Sequence, residues 1–109
     1  MAFNADLAER VRTAVKTRKG ITEKRMFGGV GFLLNGNLLV AVWMDSLIVR
    51  LGVAQAEEVQ HDPYVGPMDL TGRPMKGWIM VAPVGVASDQ QVRTWIRKAI
   101  EFVKTLVPK

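Results

Sequence analysis

Met26-Phe27-Gly28-Gly29-Val30-Gly31-Phe32 is the stretch on which the reading of this chain turns. Its glycines interrupt residues that favour extended backbone, and Phe32-Leu33-Leu34 continues in the same manner to Asn35-Gly36-Asn37. An Asn-Gly pair between two apolar runs marks a tight β-hairpin turn. Gly28, Gly29 and Gly31 therefore read as a tight turn or bulge between strands, or as a close backbone approach beneath a helix. A phosphate-binding loop needs a helix amino terminus directly after its glycines, and here the chain continues as strand with no Gly-Lys-Ser or Gly-Lys-Thr. Met26 and Phe27 then read as core residues.

Outward from this stretch the hydrophobic period keeps to short strands. Four antiparallel strands fit, at roughly 24–28, 30–35, 38–43 and 46–51. In the last, Leu47, Val49 and Leu51 alternate with Ser46, Ile48 and Arg50, so one face packs on a core and the other is mixed. The sheet is expected to be covered on one side only. Before it, Leu7, Ala8, Val11, Ala14 and Val15 recur at helical spacing, with Asn4 as a cap, giving a helix of about 4–18. After it, Ala54 to His61 reads as a short helix ended by Asp62-Pro63. Tyr64 to Gly77 reads as loop, and Trp78 to Val81 as a further strand.

The final helix has the strongest local signature. Ser88 and Gln91 form a capping-box pattern, and Val92, Trp95, Ile96, Ala99, Phe102, Val103 and Leu106 fall on one side of a helical wheel. Such a helix should lie on the sheet and supply much of the core. The result is a two-layer α+β fold, with an antiparallel sheet of about five to six strands and helices mainly on one face, in a single domain spanning 1–109.

Composition narrows the function. A chain of 109 residues with 49% hydrophobic and 23% charged residues is ordinary for a globular protein. It contains no Cys, which removes disulfides and thiolate chemistry and is compatible with a reducing cytoplasm. Its amino-terminal residues lack a signal-peptide core, and the longest apolar run, Leu38 to Met44, is far short of the ~20 residues that span a bilayer. A cytoplasmic protein with no membrane partner is the expectation. Net charge is +5, and the first 25 residues carry much of the excess. This attracts phosphate backbones or acidic partners, or simply solvates a helix face.

Catalytic patterns are lacking. His61 is the one histidine, and its acidic neighbours Glu57, Glu58 and Asp62 do not make a metal-ligand spacing. Ser46 begins a strand and Ser88 caps a helix, so neither reads as a nucleophile. No catalytic residue, metal or cofactor is expected; a pocket in which Arg50, Asp69 and Arg73 converge is the arrangement that would reopen an enzyme reading. The better functional candidate is Thr71-Gly72-Arg73-Pro74-Met75-Lys76-Gly77-Trp78. There Arg73 offers a planar fork, Lys76 a point charge and Trp78 a stacking surface on a Gly/Pro-punctuated loop. The structural alternative has Trp78 in the core and the cations paired with carboxylates such as Asp69.

Several blocks resemble the TfoX amino-terminal domain family: Lys24 to Phe32, the Asn35-Gly36 hairpin, Ser46 to Leu51, and Met68-Asp69-Leu70-Thr71-Gly72-Arg73-Pro74-Met75-Lys76-Gly77-Trp78. The resemblance implies a two-layer α+β domain similar to secretion-chaperone-like folds. The family is named for a bacterial regulator of competence for DNA uptake, a transcriptional co-activator beside a cyclic-AMP-responsive regulator. Longer members add a helical domain that this sequence does not include, so a stand-alone amino-terminal module is expected, and the family motif transfers no active-site residue. In function the resemblance implies a non-enzymatic regulatory module with a transcription regulator as protein partner and nucleic acid as a second one. Lys24, Arg25, Arg73, Lys76 and Trp78 are the candidate contacts, while Met26, Phe27, Gly28, Gly29, Gly31, Gly72 and Gly77 are structural. The alternative is a protein-binding or chaperone-like module, a homodimer through the sheet included, with no nucleic-acid role.

Overall fold

A computed structural model describes residues 3–26, 28–68 and 75–109. Its elements are helix α1 (Ala5–Val15), strands β1 (Ile21–Met26), β2 (Gly29–Leu34), β3 (Asn37–Trp43) and β4 (Ser46–Arg50), helix α2 (Val53–Glu58), strands β5 (Val65–Pro67) and β6 (Trp78–Val81), and helix α3 (Asp89–Val103). The strands form one six-stranded antiparallel sheet in the order β1-β2-β3-β4-β6-β5. Consecutive hairpins build the first four; the chain then crosses to the far edge and returns to place β6 beside β4. This is the α+β architecture expected from the sequence.

Local chemistry accounts for most boundaries. Asn4 caps α1, its side-chain oxygen accepting from the Leu7 N–H at 3.1 Å. The helix stops at Val15, short of the expected 18, because Lys16 to Gly20 are all exposed. A further turn would bury nothing, and short helices rely on tertiary packing. β1 in turn begins at Ile21, earlier than expected, because the hairpin ladder runs on until Ile21 meets Leu34. Asn35 and Gly36 both have positive φ, 52° and 86°, the two-residue hairpin turn that the Asn-Gly pair requires. Between the expected short helix and its Asp62-Pro63 stop, the last turn tightens into a 3-10 helix at Val59–His61. A second 3-10 turn, Pro83–Val86, precedes α3.

One expectation is corrected inside the region read as loop. Val65–Pro67 forms β5, pairing with β6 through Val65 and Val81. Three residues containing Gly and Pro carry no alternation to read, and proline is tolerated because β5 is an edge strand.

α1 and α3 cover one face of the sheet. Leu7, Val11, Ile96 and Ala99 from the helices meet Phe32, Val42, Leu47 and Ile79 from the strands in the main core. The capping box of α3 is formed on both sides: Gln91 N–H donates to Ser88 Oγ at 3.1 Å and Ser88 N–H to Gln91 Oε1 at 3.0 Å. Trp95 seals the end of this layer by donating its indole N–H to the Gly85 carbonyl at 3.0 Å. Between Phe32 and Leu33 the register with β3 slips, which turns Leu39 into the core beside Val40 and leaves Leu38 on the opposite face. Gly29 is there for clearance: a Cβ would lie 2.2 Å from the Val42 carbonyl oxygen on the neighbouring strand. The close-approach reading of the glycines therefore holds against a strand rather than beneath a helix.

Candidate binding groove on the open sheet face

Strand alternation sends every second side chain away from the helices. From β1 to β6 these include Lys24, Met26, Leu33, Leu38, Ala41, Trp43, Ile48, Arg50, Trp78 and Met80. Ala41, Ile48 and Met68 make a second buried cluster on this side, with Trp43, Trp78 and Met80 half-buried around it. Met26 thus belongs to the open face and is only half-buried, not a member of the helix-covered core. The register explains this, since Met26 pairs with Gly29 while its neighbour Arg25 pairs with core-facing Val30. The expectation for Phe27 lies outside the described residues.

Two pairs of described residues, Met68 with Met75 and Asn35 with Lys109, wall this face. Met75 N–H donates to the Met68 carbonyl at 3.0 Å, so the chain that leaves β5 at Met68 is back beside it at Met75. On the other side Lys109 N–H donates to the Asn35 carbonyl at 2.8 Å, and the buried Asn37 amide donates to the Val107 carbonyl at 2.9 Å. Between these walls lies a groove of about 710 Å³ whose apolar lining is Met26, Leu33, Leu38, Trp43, Met68, Met75 and Trp78. Gly31 sets its depth. A Cβ there would stand 2.8 Å from Leu38 Cδ1 and 2.9 Å from Met26 Cε, so the glycine lets both side chains lie flat on the strand.

The charged side chains of the groove are cationic. Arg50 and Lys109 line it, and no acidic side chain does so among the described residues. Arg50 ends β4 opposite Trp78 of β6. Its guanidinium carbon lies 5.0 Å from the Trp78 ring centroid and 5.9 Å from that of Phe102, so the cation is in contact with two aromatic rings. A second depression, of about 530 Å³, lies between Tyr64 and the first turns of α3 and is lined mainly by polar side chains such as Gln90, Gln91 and Thr94.

The residues singled out in the sequence are distributed by this geometry. Trp78 lies in the groove, half-buried, and Lys76 is exposed just before it. Lys24 is exposed on β1 and shares the open face, since it pairs with Gly31. Arg25 points to the opposite side, where its guanidinium carbon lies 5.5 Å from the Phe3 ring centroid. Adjacent strand residues cannot share a face, so Lys24 and Arg25 form no joint patch. Arg73, Gly72 and Asp69 lie outside the described residues. Gly77 serves structure, its carbonyl accepting from the N–H groups of Leu51 and Gly52 at 2.9 and 3.0 Å. His61 is exposed at the end of its 3-10 turn. Trp43, Leu38 and Met75 were not singled out as functional in the sequence; alternation placed Trp43 and Leu38 on one strand, but their neighbours across the sheet were invisible to it.

An antiparallel sheet with helices on one face and an apolar, cation-bearing groove on the other makes this a two-layer α+β domain with an open sheet face. The model of the TfoX N-terminal domain family matches residues 13–103, and the chain belongs to that family. The match spans α3, the last residues of α1 and the whole sheet. Neither the curated proteins nor the solved structures contain a match to this chain. Among the described residues no helix is long and apolar enough to cross a membrane.

Proposed function

We propose that this chain is a regulatory module that acts by protein contact through the open face of its sheet. The family supports a competence-related regulatory role and is not a known enzyme family. The observation that carries the choice of surface is the apolar face around Trp43, Trp78 and Met80, which no helix among the described residues covers. Exposed or half-exposed apolar surface of this kind, rimmed by charge, is typical of interaction sites. Basic residues, by contrast, are dispersed over α1, β1, the loop before β6 and α3, and Arg10, Arg12 and Lys104 are each engaged by a carboxylate. That scatter favours a protein partner, a transcription regulator in keeping with the family, over a continuous nucleic-acid track.

The test pairs two measurements on Leu33→Glu and Leu38→Glu, both confirmed folded by circular dichroism. Capture of an identified transcription regulator by the wild type, lost in both variants, is the expected result. Capture unchanged by charges on this face would overturn the choice of surface. Duplex DNA binding is the rival. Contact with three or four phosphates would weaken roughly a hundredfold between 50 and 200 mM salt, and clear binding with that slope would transfer the role to the basic residues.

A further inference from the structure

The groove has the dimensions and chemistry of a small-molecule site, and we propose that it binds a flat aromatic monoanion, with Arg50 holding the anionic group and the indoles of Trp43 and Trp78 bounding the ring. This goes beyond the protein-partner reading and does not depend on it, since it concerns the free chain alone.

Its volume of about 710 Å³ falls within the roughly 300–1,000 Å³ of typical ligand sites, which combine an apolar lining with few convergent polar groups. The lining also selects shape: Met26, Met68 and Met75 with Trp43 and Trp78 supply thioethers and indole faces. Those groups pack best on an aromatic body, through sulfur contacts and offset stacking.

Charge selects the sign. Arg50 and Lys109 are the charged side chains among the lining residues. Arg50 is placed by cation–π contact with Trp78 and Phe102, its guanidinium carbon 5.0 and 5.9 Å from the ring centroids. Such contact does not consume the guanidinium N–H donors. Among the described residues no carboxylate pairs with them. A carboxylate matches a guanidinium fork bidentately, so the pre-oriented Arg50 discriminates an acid from its neutral amide.

The test uses naphthalene-2-carboxylate and its neutral isostere naphthalene-2-carboxamide, by calorimetry and by the indole N–H signals of the ¹⁵N-labelled protein. The carboxylate is expected to bind at roughly 0.1–1 mM, as ligand efficiency allows for a molecule of this size, and about tenfold tighter than the amide. The three tryptophans provide an internal control. Signals of Trp43 and Trp78 should move, while Trp95, committed to Gly85 on the far side of the sheet, should not. Arg50→Gln should erase the preference for the acid while leaving the amide within about twofold, and Arg50→Lys should retain part of it. Equal affinity for acid and amide in the wild type, movement of Trp95 with the others, absence of binding, or an unchanged preference in both Arg50 variants would overturn the proposal. The comparison of the two ligands on unaltered protein needs no variant to fold.

Discussion

The guanidinium carbon of Arg50 sits 5.0 Å from the ring centroid of Trp78, directly across the β4–β6 ladder, and 5.9 Å from that of Phe102 of α3. A cation–π contact is worth about 0.5–2 kcal/mol, and the aliphatic stem of Arg50 adds packing. Arg50→Ala should therefore lower unfolding free energy by about 1–2 kcal/mol in urea titration. Arg97→Ala, on the exposed side of α3, should stay within about 0.5 kcal/mol. Equal effects would show that the stack contributes nothing.

Glu23 makes stability depend on acid pH. Its carboxylate accepts from Arg12 Nε at 2.8 Å and Nη2 at 2.7 Å, while Arg12 also pairs with Glu9. The hydrogen bond from Arg12 lowers the carboxyl below its ordinary value, with Coulomb attraction adding and burial opposing. The unfolded chain then binds the proton more readily. The contribution is full above the unfolded carboxylate pKa, about 4.3, and is lost as pH falls through the lower folded value. Arg12 is raised and stays charged throughout. Because the Glu23 side chain is 39% exposed, the effect should stay below about 1 kcal/mol. Urea titrations from pH 6 to about 2.5 should show a shallower decline in Glu23→Gln; identical profiles would mean that the pair leaves acid stability untouched.

Gly52 and Gly66 should answer an added methyl in opposite ways. Gly52 has φ +84°, ψ 158°, and a Cβ there would stand 2.6 Å from Phe102 Cδ1. Only glycine occupies that backbone region without strain, and the Phe102 ring has to move as well, so Gly52→Ala should cost about 2–4 kcal/mol. Gly66 has nothing within 4 Å of an added Cβ. Gly66→Ala should be neutral or stabilise by up to about 1 kcal/mol through the unfolded chain. Chemical denaturation of both checks the contrast.

The α3 cap and its anchor supply a further pair. Ser88→Ala breaks the reciprocal cap with Gln91 and should cost about 1 kcal/mol. Trp95→Phe leaves the Gly85 carbonyl without its indole donor in a site where Trp95 is 7% exposed, for about 1–3 kcal/mol. Loss of stability in the second without loss in the first would show that the helix end is held by packing alone.

Much of this fold was legible along the chain because its signals are local. The Asn35-Gly36 turn, the alternation in Ser46 to Leu51 and the Ser88 and Gln91 cap each lie within a few residues of the groups they organise. Alternation also separates Lys24 from Arg25, which composition alone groups together as one basic pair. β5 was hidden for the opposite reason: its three residues have no pattern, and they are extended only because β6 offers them a ladder.

What residue order alone determined was the set of elements apart from β5, and which side chains share a face in the strands that keep regular alternation. Tertiary structure decided which strands became neighbours, and hence the groove. Trp78 meets Arg50 because β6 inserts between β4 and β5, and Met68, just past β5, meets Ala41 and Ile48 on the same face, where Met75 bonds to it. Pairing between distant strands is settled by the summed burial of the whole sheet, and no short stretch of residues contains that sum.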